Sequence, residues 1–272
     1  MNKLIATLSV ATLLVACGQS ADTPEPEVAA ESNKIFDMPY LQRDLENGLR
    51  VVIVPTDYPD IVTIQIPVQT GSRNEIEPGK TGFAHFFEHM MFRGTEQYPA
   101  DVYADILKKA GADQNAYTSS DLTNYHITFT KDDLEKVIEI EADRFQNLSY
   151  TEDVFRTEAL AVKGEYLKNF SNPFSKMYER ISDLMFSEHT YKHTTMGFIE
   201  DIEAMPDQLE YSKVFFDRWY RPEKTTVILV GDLDAEATFK LVEKYWGNWE
   251  RGDYDIDVPV EPPLGGPKYE HL

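Results

Sequence analysis

One cysteine, Cys17, stands in 272 residues, so the chain can form no internal disulfide even in an oxidising compartment. Positive charge is scarce as well: 26 Lys and Arg face 47 Asp and Glu, a formal net charge of -21. Phosphate recognition depends on Lys/Arg clusters, and the sequence has none, which excludes nucleic acid as a partner and disfavours an anionic membrane surface. Acidity of this degree favours solubility first, and neutral or cationic partners second. The apolar run from Leu4 to Ala16 falls short of the roughly 20 residues a membrane helix needs. There is no short-period repeat, and 15 Pro and 14 Gly with 42% hydrophobic residues are globular values, so disorder is expected only at the ends.

What is present at the N-terminus is a leader. Lys3 precedes the apolar run, and Leu14-Val15-Ala16 leads directly into Cys17. Residues 1–16 therefore read as a signal peptide, and the junction resembles a bacterial lipobox, with Cys17 as the lipidated first residue of the mature chain. A plain cleaved signal or an uncleaved anchor is the alternative. Residues 17–34 are small, acidic and proline-containing, with too few apolar groups to offset the entropy of ordering, and read as a tether.

The folded body is expected over residues 35–252. Asn47-Gly48 marks a hairpin turn between a strand ending near Leu45 and the strand 49–55. Further strands are predicted at 61–70, through 115–130, and at 225–231. Helices are predicted at 81–92, 101–110, 131–147, 152–169, 173–186, 207–218 and 235–245. The mixture predicts an α+β fold, a mixed and mainly antiparallel sheet covered by helices. Residues 253–272, rich in Pro and Gly, resemble a linker.

The chemistry lies in H-F-F-E-H, His85 to His89. On a helix, residues four apart project from one face a turn apart, so both imidazoles can reach one metal ion, with Glu88 beside them. Zinc takes nitrogen and carboxylate ligands and keeps a position open at catalytic sites. It brings the pKa of water down to about 7, and a neighbouring carboxylate can accept the proton. Phe83, Phe86, Phe87, Met90, Met91 and Phe92 surround the trio, so the helix is expected to be buried all round and Glu88 to need a partner.

A third ligand must come from elsewhere. Glu158 and Glu165 are seven apart, about 700° of helical rotation, and so share a face to within about 20°. One can bind the metal while the other orients a histidine; spacing does not say which. His189 and His193 repeat the four-residue spacing, but in a stretch without apolar periodicity that reads as a loop and makes a poor second metal site. His126 reads as a packed or surface strand residue, and His271 as solvated.

The motif, followed by Glu165, resembles the inverted zinc signature of the insulinase and pitrilysin peptidases, the inverzincins. The resemblance extends over roughly residues 38–260, through G-S-R-N-E (71–75), H-M-M-F-R-G-T (89–95), G-A-D-Q-N-A-Y-T (111–118), N-Y-H (124–126), G-F-I-E-D-I (197–202) and Y-R-P-E-K-T-T-V-I-L-V-G-D (220–232). It implies the insulinase-like fold, one zinc ion on His85, His89 and Glu165, Glu88 as general base, and Glu158 as the acid supporting the site. It also implies that Asn115, Ala116 and Tyr117 belong to an edge strand that pairs with an extended peptide, a mode using exposed backbone groups.

Family members have two homologous halves, and this sequence carries one. The resemblance places an arginine and a tyrosine for gripping substrate on the other half, so the isolated chain is expected to bind zinc but hydrolyse peptides feebly. The reading is a zinc metalloendopeptidase half acting on small peptides with a second homologous half or subunit, lipid-anchored and periplasm-facing in a bacterial envelope. Gly18 after the cysteine favours the outer membrane. A non-catalytic binding or assembly subunit is the rival, and the intact Glu88 speaks against it.

Overall fold

The computed structural model describes residues 38–271; the segments predicted as signal peptide (1–16) and tether (17–34), Cys17 included, lie outside the described residues. Six strands form one sheet: β1 (Leu41–Asp44), β2 (Arg50–Pro55), β3 (Ile61–Val68), β4 (Asp113–Thr118), β5 (Thr123–Thr130) and β6 (Thr226–Gly231), in the order β1-β2-β6-β3-β5-β4. Among the described residues β2 and β6 run parallel, and the remaining pairs are antiparallel. This is the mixed, mainly antiparallel sheet expected. Val51, Ile53, Val62, Ile64, Ile66, Val227 and Leu229, β-branched or aliphatic at alternate positions, are fully buried, and the register sets Ile53, Leu229, Ile64 and Ile127 side by side across four strands. Such cross-strand rows fix register, because a slip of one residue would turn every member to the other face.

Among the described residues, eight α-helices follow the predicted pattern with one addition: α1 (Phe83–Met90), α2 (Ala100–Lys109), α3 (Leu134–Asn147), α4 (Glu152–Asn169), α5 (Pro173–Met185), α6 (Ile199–Ala204), α7 (Leu209–Trp219) and α8 (Ala235–Trp246). Side chains cap several of them: Thr151 accepts the Val154 N–H, and Asp234 accepts the Ala237 N–H at 2.7 Å. α5 begins with Pro173 after an Asn172 cap, where a missing N–H costs nothing. α1 lies against α4, β4 and β5, and α8 packs on β2 and α3.

Three differences from expectation have local causes. The single strand through 115–130 is a hairpin, β4 and β5 joined at Ser119–Leu122, where the Ser119 hydroxyl accepts the Asp121 and Leu122 N–H groups and so supplies the turn that no glycine announces. The 81–92 helix begins only at Phe83, because Gly82 sits at φ 90°. α6 was not foreseen; its six residues are too few to show a helical period.

Residues 253–271 carry no helix or strand, yet they are tied down. Glu261 accepts the N–H groups of Ser187, Glu188 and His189 at 2.8–2.9 Å, and the Lys268 ammonium donates to the Leu184 carbonyl at 2.7 Å. The amides of His189 and Ser187 hold the Glu261 carboxyl down at about 2. A depressed carboxyl contributes fully above its ordinary pKa and loses its effect as pH falls toward the folded value. The Glu261 side-chain ¹³C signal is therefore expected to titrate with a midpoint of about 2, and Glu261→Gln to speed amide exchange at 187–189 at neutral pH. A midpoint at the ordinary carboxylate value would mean the tail is free.

Candidate metal centre

α1 delivers the site because its apolar residues anchor it from every side. Phe83, Phe86, Phe87 and Met90 are fully buried; Phe86 meets Phe155 of α4 edge-on at 5.1 Å, and Phe87 stacks on Phe215 of α7 at 5.3 Å. Burying such side chains contributes about 1.5–3 kcal/mol each, enough to fix the rotation of a two-turn helix. The strip left over carries His85, Glu88 and His89 toward α4 and β4.

There the predicted groups meet. His85, His89 and Glu165 each place one ligand atom so that all three lie within 4.8 Å of one another. The Glu165 Oε2 is 3.6 Å from His85 Nε2 and 3.4 Å from His89 Nε2. Glu158, its side chain only 3% exposed, takes the other nitrogen of the same ring: its Oε2 lies 3.5 Å from His89 Nδ1. Seven residues separate the Cα atoms of the two glutamates by about 10.5 Å along the helix axis, and the His89 imidazole bridges between their carboxylates. Arg93, one turn beyond His89, forms an ion pair with the second Glu158 oxygen. Glu88 accepts a 2.6 Å hydrogen bond from the Thr118 hydroxyl at the end of β4.

Electrostatics divide these groups. Burial, aided by the neighbouring His89, pushes His85 down to about 4, so its ring is neutral and has a lone pair to donate. Glu158 above all, with Glu165, raises His89. Burial raises Glu88, and the Thr118 hydroxyl pulls against it. Three carboxylates thus converge on two imidazoles with Arg93 as counter-charge to Glu158, which leaves an excess of negative charge suited to a divalent cation. Two imidazole nitrogens and one carboxylate oxygen are also a donor set that catalytic zinc accepts.

Among the described residues, the other histidines lie outside the donor cluster. His126 lies half-buried on β5, paired with Gln65 and Asn115, and His271 is exposed. His189 and His193 flank a short 3-10 turn, and His193 is buried, which its polar neighbourhood in sequence did not signal. β4 is a sheet edge, and Asn115 and Tyr117 are exposed while Ala116 is half-buried. Beyond its end a cavity of about 540 Å³ opens among Ser119, Asp121, Tyr178 and His193. Arg93 and Thr118 were not singled out in the sequence; the four-residue step from His89 to Arg93 was the available signal, whereas Thr118 reaches Glu88 only through tertiary packing.

A half-unit of helices on a mixed sheet, with an inverted His–Glu–His helix facing a glutamate helix, is the architecture of insulinase-type zinc proteases. The chain belongs to that family: the sequence model described as insulinase (peptidase family M16) matches residues 50–198, and that of the M16 inactive domain matches 209–272. It is 33% identical over 204 residues to the zinc protease PqqE of Helicobacter pylori, covering 74% of this chain and 45% of the relative. To the probable zinc protease PqqL of Escherichia coli it is 30% identical over 208 residues, covering 73% and 22%. Among solved structures, a protease from Helicobacter pylori superimposes with a TM-score of 0.78 at 30% identity, covering 82% of this chain and 54% of that one. The first half of the periplasmic protease PqqL from Escherichia coli gives 0.71 at 26% identity, covering 83% and 49%. The chain spans about half the length of PqqE.

Zinc uptake tests the donor set directly. The full chain is expected to take up one zinc ion, and His85→Ala or Glu165→Ala to abolish stoichiometric uptake in chelator competition. Glu158→Gln, which leaves the three donor atoms in place, is expected to weaken affinity about 10–100-fold.

Proposed function

We propose that this chain is the metal-bearing half of a zinc-dependent metalloendopeptidase that hydrolyses peptide bonds of small peptides. The observation that carries the reading is the convergence of His85, His89 and Glu165 within 4.8 Å, with Glu88 on the same helix face. Zinc held by those three side chains would polarise the scissile carbonyl and acidify the attacking water.

The chain's own residues do the rest. Glu88, raised by burial, is a carboxylate whose basicity suits it to take a proton from water and return it to the leaving amine. The Thr118 hydroxyl holds one oxygen of that carboxylate, leaving the other to receive the proton. Glu158, backed by Arg93, orients the His89 ring so that Nε2 points to Glu165, where it would be free to hold the ion. The edge of β4 at Asn115, Ala116 and Tyr117 offers backbone groups to an extended peptide, where the Ala116 N–H is held by the neighbouring Asn115 Oδ1 at 2.9 Å and a peptide would displace it, and the cavity beyond Thr118 would receive a side chain of that peptide.

A second homologous half, as a separate subunit or a second copy, would complete the chamber; the half-length coverage of PqqE and of the H. pylori structure supports this. The leader-like residues 1–16, the lipobox-like Cys17 and the periplasmic setting of PqqL support a lipid-anchored protein facing the periplasm, with Gly18 favouring the outer membrane.

The decisive comparison is wild type against Glu88→Gln, each loaded with zinc and assayed on a quenched peptide with and without a candidate second half. Expected are unchanged zinc content, a fall in turnover of at least about 100-fold, the usual contribution of a general base, and greater wild-type activity when the second half is present. Equal turnover by both proteins would remove Glu88 from the reaction.

A further inference from the structure

The N-terminus of α1 is held by a residue the chemistry above does not use. Glu75, 3% exposed, reaches across seven positions to accept the Gly82 N–H on Oε2 at 2.8 Å and the Ala84 N–H on Oε1 at 2.7 Å. Gly82 occupies the cap position and has no side chain to bond the first turn. The Glu75 side chain does that work from a distance, one oxygen for each of the two N–H groups.

The same carboxylate is walled in. His193 Nδ1 lies 3.7 Å from Oε2, with both side chains almost wholly buried. Asp201 accepts both the N–H and the hydroxyl of Thr81, at 3.1 and 2.6 Å, and the Thr81 oxygen accepts the Phe198 N–H at 2.8 Å. Gly197, at φ 75°, approaches so closely that a Cβ there would sit 2.8 Å from the Gly82 nitrogen. The segment 193–201 therefore closes around the start of α1 with no space to give.

The loop bearing Glu75 also reaches the other way. The Arg73 N–H donates to the Ser120 carbonyl at 2.8 Å, and the Thr190 hydroxyl to the Arg73 carbonyl at 2.6 Å. Gly71 lies against the same turn, where a Cβ would meet the Ser119 carbonyl oxygen at 2.4 Å. That turn begins one residue after Thr118, the partner of Glu88. One short loop thus joins the start of the histidine helix to the end of the edge strand.

We propose that Glu75 is a positioning residue: it fixes α1 relative to β4, so that His85 and Glu88 stand in register with Glu165 and Thr118, and His193 is the wall that keeps its carboxylate in place. The proposal rests on the zinc-site reading above. Placement errors of about 1 Å are costly at such sites, and without the carboxylate two buried N–H groups lose their partners.

Zinc affinity and local exchange test it in the full chain. In Glu75→Ala, zinc affinity by chelator competition is expected to fall about 10–100-fold, as for other groups that orient ligands. Amide exchange of Gly82 and Ala84 in the metal-free protein is expected to accelerate. Glu75→Gln, which keeps one acceptor oxygen and sets an NH₂ against the second amide, is expected to show a smaller loss of the same kind. Val242→Ala, a core truncation on α8, serves as the comparator: it is expected to lower the melting temperature and leave both readouts at wild-type values. Wild-type zinc affinity with unchanged Gly82 and Ala84 exchange in Glu75→Gln would overturn the proposal. So would an equal loss of affinity in Val242→Ala. Should wild type itself take up no stoichiometric zinc, the zinc reading fails, and the exchange at Gly82 and Ala84 still judges the role of Glu75.

Discussion

Two imidazoles and a carboxylate ride on a helix whose remaining surface is aromatic and sulfur-bearing core, and the rest of this molecule answers to that conflict. The transfer of Phe83, Phe86, Phe87 and Met90 out of water holds α1 in the interior, but the same burial strips hydration from His85, Glu88 and His89, at several kcal/mol for each group that remains charged. Partners relieve the cost individually. His85 stays neutral, the Thr118 hydroxyl solvates Glu88, and His89 lies between two glutamates. What these local arrangements leave unbalanced is charge of one sign: the carboxylates outnumber the cationic groups facing them. A divalent ion on the His85, His89 and Glu165 atoms would balance it, so the demand for metal follows from the packing of the helix as much as from the identity of its ligands.

The sheet and the site are likewise parts of one arrangement. α1 packs on β4 and β5, and β4 is the last strand of the sheet. The helix that carries the reactive groups is therefore applied to one of the sheet's two edges, the other being β1. Exposed edges invite unwanted pairing; here the strand is short, and alternate residues, Asp113, Asn115 and Tyr117, face solvent. An edge retained next to an ion site has a use that an edge elsewhere in the sheet would lack.

Much of this was readable from residue order, and the limits have physical reasons. Runs such as V-V-I-V and T-V-I-L-V announce buried strands by β-branching, and four-residue spacing announces paired imidazoles. The seven-residue spacing of Glu158 and Glu165 put both on one face but could not rank them. Burial separates them: Glu158 is sealed at 3% exposure and engaged by Arg93, whereas Glu165 retains 38% and faces both Nε2 atoms. The β4–β5 turn escaped notice because a serine hydroxyl performs the task usually signalled by glycine. Thr118 and Glu75 were not legible as site residues, and His193 only as a poor metal ligand, since each acts through contacts set by the tertiary fold, and no periodicity encodes a hydrogen bond from one loop to another helix's first turn.

That last group indicates how a short helix can be both rigid and functional. Eight residues give α1 only about two turns, and nucleation costs make such a helix unstable by itself. A cap on its own N-terminal residue would help, but Gly82 sits at φ 90°, a conformation that favours glycine, and a Cβ there would crowd the Met196 carbonyl oxygen at 3.1 Å. The cap therefore comes from outside, and an external cap does more than an internal one. An internal cap stabilises a helix wherever the helix happens to lie, while a carboxylate anchored in another loop stabilises it only in one place. Conformational stability and placement become the same interaction, and a site whose donor atoms must meet within a few ångströms depends on both.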